Sequence, residues 1–259
     1  MDIRGTFPIL ERMVYGKELV YLDNAATTQK PSCMMDAYTD FSANSNANVH
    51  RAEYALADKA TRQYNDARKT VAEWVHCAPE QVVFTYNATD SLNMACSYLS
   101  DTLTDKDNVV TTLLEHHSNI LPWMRACQTH GAALRYLPLL PDGTPDIDAF
   151  PSLLDEHTKA VVITAASNIT GWTAPLALWA TICQSRHIPL VIDGTQAMAH
   201  MRPDLSTIPF TFYAFSAHKL YGPTGLGVLI LGDASMKPAH VRMGGGTVID
   251  VTMEHIEQT

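Results

Sequence analysis

No apolar run in the 259 residues approaches the length that a bilayer span requires. The opening residues "MDIRGTFPILERM" put charges where a secretory leader would need its apolar stretch, so no signal peptide is read and a cytoplasmic location is expected. Basic clusters are also missing. With 18 Lys+Arg against 27 Asp+Glu the formal net charge is −9, which opposes nonspecific binding to nucleic acid or anionic lipid. Neither a nucleic-acid nor a membrane partner is expected. The five cysteines, Cys33, Cys77, Cys96, Cys127 and Cys183, show no short paired spacing. A disulfide framework and a zinc site are therefore not expected, and free thiols are. No Gly-rich run leads into Gly-Lys-Ser/Thr, and no G-x-G-x-x-G follows the first strand. That argues against a P-loop and against a dinucleotide fold.

What the chain does contain is alternation. Short apolar runs at Gln81–Tyr86, Asn108–Leu114, Ala133–Leu137, Ala160–Ala166, Pro189–Asp193, "TFYAFS" and "LGVLIL" read as strands. Segments with helical spacing lie between most of them. Continuous apolar strands alternating with helices imply an α/β fold with a mostly parallel sheet, covered by helices on both faces. A long amphipathic helix is expected before the sheet, from about Arg51 to Val75, with Leu56, Ala60, Tyr64, Ala67, Val71 and Val75 on one stripe.

In such sheets ligands bind beyond the carboxyl ends of the strands, so the polar residues just after each strand carry the interest. Ala88, Thr89 and Asp90 open a helix, where main-chain N–H groups and a hydroxyl suit a phosphate, although a simple N-cap fits the same pattern. "EHHSN" offers a flat imidazole for stacking, or two histidines capping a helix; adjacent histidines point apart, so no metal is expected. Asn168 follows the next strand in a turn. Asp193 ends an apolar strand, where a carboxylate is costly without a cation, and Gln196 could reach the same ligand. Lys219 lies on a tight connection between two core strands with Ser216 and His218 beside it; a snorkelling surface lysine would also fit there. A lysine to take the aldehyde, a carboxylate for the ring nitrogen, a planar histidine and an anion site together match pyridoxal phosphate.

The stretches "YLDNAATTQKP", "NVHRAEYALADKAT", "EHHSNILPW", "SNITGW", "VIDGTQAMAH", "FYAFSAHKLYGPTGLGVL" and the "GGG" at Gly244 stand in one order. They resemble the class V aminotransferase family, in particular its group II, Suf-type cysteine desulfurases and selenocysteine lyases, over essentially the whole chain. The resemblance implies the large domain of a fold type I pyridoxal phosphate enzyme over residues 21–259, after an N-terminal segment 1–20. It implies that Lys219 holds the cofactor covalently and His116 stacks on its ring. Asp193 would pair with the ring nitrogen, Gln196 with the ring hydroxyl, and Asn168 would lie beside the ring. Ala88, Thr89, Ser216 and His218 would line the phosphate site, and His50 would lie on the substrate side.

The resemblance further implies L-cysteine or L-selenocysteine as substrate, alanine as product, and a sulfur-acceptor protein in iron–sulfur cluster assembly. It also implies a homodimer. In the family the acceptor cysteine and the arginine that clamps the substrate carboxylate belong to a small C-terminal domain, expected to be absent from the 259 residues. Tyr86-Asn87-Ala88 stands where the family has Arg-Gly-Thr, Ala217 where it has glycine, and Thr211 where it has aspartate.

Overall fold

The computed structural model describes residues 3–50, 53–236, 248–252 and 256–258. The chain opens with a two-strand hairpin, β1 (Met13–Val14) and β2 (Lys17–Glu18), followed by α1 (Ser32–Asn44) and the long α2 (Ala55–Val75). The main sheet then builds as β3 (Val82–Thr85), α3 (Ala88–Ser100), β4 (Asn108–Thr111), α4 (His117–His130), β5 (Ala133–Tyr136), the single-turn α5 (Phe150–Leu153) and β6 (Thr158–Thr164). It continues through α6 (Leu176–Ser185), β7 (Leu190–Asp193), the short α7 (Ala197–His200), β8 (Phe212–Ser216) and β9 (Gly227–Leu231). A second hairpin pairs β10 (Val248–Val251) with β11 (Ile256–Gln258).

All seven expected strands form and join one sheet in the order β3-β9-β8-β7-β6-β4-β5. β8, β7, β6, β4 and β5 run parallel, while β9 is antiparallel to both its neighbours. The mostly parallel expectation holds. Alternation within each strand splits the apolar residues between two faces. On β6, Val161 and Ile163 pack with Ala72, Val75 and Trp179, whereas Ala160 and Val162 pack with Leu92 and Trp123. Helices α2 and α6 thus cover one face, and α3 and α4 the other.

Three expectations need correction. The helix before the sheet begins at Ala55, and Arg51 lies outside the described residues. Its buried stripe is Ala57, Ala60, Ala72 and Val75, so the face is turned by one residue at its start; Leu56 and Ala67 are exposed. β4 stops at Thr111 rather than Leu114 because the Thr112 hydroxyl accepts from Leu114 N–H and donates to Glu115, making a local turn that competes with the ladder. The glycines at Gly244–Gly246 lie outside the described residues.

Gly227 begins β9 and passes directly beneath Asn87, the residue that caps α3. A Cβ at Gly227 would lie 2.4 Å from the Asn87 carbonyl carbon, well inside contact distance, and both partners are backbone. Gly227→Ala is expected to cost about 1–3 kcal/mol of stability, read as a lower denaturant midpoint at unchanged slope. An unchanged midpoint would show that the crossing relaxes freely.

Candidate active site

Parallel strands ending at one level bring their following residues to one rim. Thr164 of β6 pairs with Asp193 of β7, and Asp193 with Ala214 of β8, so the ends are in register. Beyond them lies a crevice of about 530 Å³, lined by Asn87, Ala88, Thr89, His116, Ser118, Thr164, Ala166, Asn168, Asp193, Thr195, Gln196, Ser216, His218 and Lys219. Asp23, Ala25 and Ala26 of the N-terminal loop complete the wall. Every site residue expected from the sequence lines it except His50. His50 sits with its N–H on Thr61 Oγ1 and its ring edge-on to Tyr64, and is not among the lining residues. A larger groove of about 700 Å³ opens at the other ends of the strands around Cys77, Cys183 and Phe210. Among the described residues its walls carry no lysine, arginine or carboxylate.

Asp193 is buried, at 4% exposure. Its Oδ1 accepts from Thr195 N–H at 3.0 Å, and its Oδ2 has no hydrogen-bond partner among the described residues. The partly buried Lys219 stands across the crevice. Burial pushes its amine below the ordinary lysine range, opposed by the Asp193 charge. Less of the energy of protonation favours the ammonium there, so the free amine is easier to reach.

His116 caps α4, its Nδ1 accepting from Ser118 N–H at 3.1 Å. A nitrogen that accepts carries no proton, which places the hydrogen of the neutral ring on Nε2. Burial and then the Lys219 charge lower its pKa, so the ring is held neutral. The Ser118 hydroxyl continues to Thr89 Oγ1 at 2.7 Å and so joins the imidazole to the start of α3. At that start the Asn87 side chain accepts from Asp90 N–H, and Ala88 N–H donates to Ser216 Oγ at 2.7 Å. Ala88 and Thr89 open a 13-residue helix onto the crevice, and the positive end of its dipole favours an anion there.

Two groups escaped the sequence reading. Ser118 is visible only as the second residue of the α4 turn, although it stands in the same motif as His116. Glu115 looks like an ordinary acid before a helix. In the fold it accepts from Thr112 Oγ1 at 2.7 Å and Asn119 Nδ2 at 2.6 Å. Its pKa is pushed up to about 7, chiefly by burial and further by the Asp193 charge, against the pull of those donors. The departures from the family pattern divide. Ala88 and Ala217 lie at or beside the rim, whereas Thr211 is at the far end of β8, where its hydroxyl accepts from Leu190 N–H.

The class-V aminotransferase family profile matches residues 20–259. The chain belongs to this family. The cysteine desulfurase of Escherichia coli strain K12 is 38% identical over 249 residues, 95% of this chain and 61% of that protein. Curated cysteine desulfurases from other strains, such as O157:H7, match equally. Among solved structures, an Escherichia coli cysteine desulfurase aligns with a TM-score of 0.87 at 34% identity, over 99% of this chain and 64% of that one. The apo cysteine desulfurase of Thermococcus onnurineus NA1 aligns with a TM-score of 0.91 at 31% identity, over 100% and 63%. The chain thus spans about 61% of the length of the curated relatives it matches. Class-V aminotransferases work with pyridoxal phosphate, and the arrangement here fits that cofactor: an open carboxylate oxygen, an amine, a neutral planar ring and a helix N-terminus share one crevice.

Glu115 gives a pH test. Its folded pKa lies above the ordinary 4.5, so between about pH 4.5 and 7 the unfolded chain has lost a proton that the folded chain keeps. Stability attributable to Glu115 therefore falls as pH rises through that window. Glu115→Gln should flatten the decline relative to the parent in denaturant titrations across pH 4.5–7.5. Parallel curves for the two proteins would contradict the assignment.

Proposed function

We propose that residues 21–259 form the cofactor-binding domain of a cysteine desulfurase, which takes sulfur from L-cysteine and leaves L-alanine. The observation that carries this reading is the convergence of Lys219, Asp193, His116 and the α3 N-terminus on one crevice, in a chain 38% identical to cysteine desulfurases. Bound pyridoxal phosphate supplies an electron sink for the bonds at the substrate's Cα and Cβ. The protein's part is to hold and protonate. The Asp193 carboxylate would pair with the ring nitrogen and keep it protonated, because each opposite charge favours the other. The Ala88 and Thr89 end of α3, with Ser216 and His218, would receive the phosphate. His116 would cover one ring face and Asn168 would stand beside the ring, while Gln196, whose Nε2 donates to Ala25 O at 2.8 Å, would offer its side-chain amide to the ring hydroxyl. Lys219 would hold the cofactor through its aldehyde, and its free amine is the group placed to move a proton at the substrate's Cα.

Sulfur then passes to a protein thiolate and on to an acceptor protein for iron–sulfur cluster assembly, in the cytoplasm and from a homodimer. Among the described residues no helix is long and apolar enough to cross a membrane. His50, packed here against Thr61 and Tyr64, would be a substrate-side residue in this reading.

Borohydride reduction of the protein with pyridoxal phosphate, followed by peptide mapping, should fix the cofactor on Lys219. Lys219→Ala should lose the label, and Asp193→Asn should keep it while slowing exchange of the Cα hydrogen of bound amino acid by about a hundredfold or more. Label on another lysine, or unchanged exchange in Asp193→Asn, would sink the assignment.

None of the five cysteines lines the crevice. Burial raises the thiol of Cys127, and pushes those of Cys77, Cys96 and Cys183 up to about 11, 12 and 12, away from the thiolate that sulfur transfer needs. The 259-residue chain should therefore build no persulfide on its own cysteines and release no alanine catalytically, as measured by mass spectrometry and an alanine assay. Turnover abolished by replacing one of the five would identify an acceptor among them.

A further inference from the structure

The turn that carries Lys219 supplies few of its own hydrogen bonds. The Ala217 carbonyl accepts both Leu220 N–H at 2.8 Å and Gly222 N–H at 2.9 Å, which leaves the His218 carbonyl outside the turn's internal bonding. Donors from one distant segment converge on that oxygen instead. They are Thr28 N–H at 3.0 Å, the Thr28 hydroxyl at 3.0 Å, the Thr27 hydroxyl at 3.2 Å and the Lys30 ammonium at 3.1 Å. The ammonium is itself tied to Thr28 O at 2.8 Å.

Thr28 does more than contact the turn. Its hydroxyl donates to His218 O and accepts from Tyr221 N–H at 2.8 Å, the full use of one donor and one of its lone pairs. A single side chain, 4% exposed, thereby grips the main chain on both sides of Lys219. Tyr221 also sits at φ +60°, a left-handed conformation that a bulky residue adopts only when its surroundings impose it. The His218 peptide plane leads directly into the Lys219 Cα. Fixing that plane and the Tyr221 amide fixes the direction in which the lysine leaves the backbone.

We propose that Thr28, with Thr27 and Lys30, is a positioning staple for Lys219, holding the 217–222 turn so that the amine projects into the crevice. The staple rests on the reading of Lys219 as the cofactor lysine, but its mechanical part can be measured without cofactor.

Three variants of the whole chain separate the outcomes. Thr28→Val keeps the side-chain shape and removes the hydroxyl, Thr28→Ser keeps the hydroxyl, and Lys30→Met removes the ammonium from the His218 carbonyl. In cofactor-free protein, hydrogen–deuterium exchange over residues 217–222 should quicken about tenfold in Thr28→Val and Lys30→Met, and stay near the parent rate in Thr28→Ser. With pyridoxal phosphate added, affinity and the share of borohydride-fixed label on Lys219 should fall about tenfold in the first two. Thr28→Ser should restore both. Unchanged exchange in Thr28→Val overturns the staple, as does faster exchange with unaltered affinity and labelling. If Thr28→Val does not fold, Lys30→Met decides by the same criteria. If the parent takes no label on Lys219, the cofactor reading fails while the exchange comparison still judges the staple's hold on the turn.

Discussion

Asp193 brings a carboxylate to the end of β7, among the core strands and at 4% exposure, and much of the surrounding architecture answers to that placement. A charge so poorly hydrated needs a cation or donors nearby. One Thr195 N–H meets Oδ1, and the Lys219 amine supplies the opposing charge across the crevice. The Asp193 charge reaches further. It opposes the depression of the Lys219 and His116 pKa values and raises those of Glu115 and the buried Tyr213. A protonated pyridine ring placed between the carboxylate and the amine would complete the pairing that the protein leaves partly open.

The sheet makes this arrangement possible by aligning strand ends, and the helices by aiming their N-termini at the same rim. α3 and α4 both begin there, capped by Asn87 and His116. Ser118 and Thr89 link the two caps. Gly227 and Gly194 are among the glycines that allow close passage. Gly227 crosses under Asn87, and a Cβ on Gly194 would lie 2.0 Å from the Tyr213 ring. The loop around Ala25 closes the remaining side through Gln196, and the same segment further along grips the Lys219 turn. The crevice is thus walled by chain segments nearly two hundred residues apart in sequence.

That distance explains what the sequence could and could not disclose. The seven strands were legible because each is a continuous apolar run, and Lys219 and Asp193 because a charged residue at the end of such a run stands out. The start of α3 at Ala88 was legible too, from the polar residues that open it. The face of α2 was not, because alanines spaced along the helix decide burial and Leu56 and Ala67 offer equally apolar alternatives. Glu115, Ser118, Thr28 and Lys30 acquire their roles only through partners remote in sequence or through a local turn. As letters they are an acid, two hydroxyls and a base in polar stretches. His50 illustrates the opposite case: its motif marks it, yet this chain packs it against Tyr64 and Thr61 instead of on the crevice wall.

The most direct test of the central claim is a crystal structure of the 259-residue chain soaked with pyridoxal phosphate. Density continuous with Lys219 Nζ is expected, with the ring nitrogen against the open Asp193 oxygen, the ring under His116, and the phosphate at the Ala88–Thr89 end of α3. Cofactor bound through another lysine, or seated in the groove at the opposite ends of the strands, would contradict it.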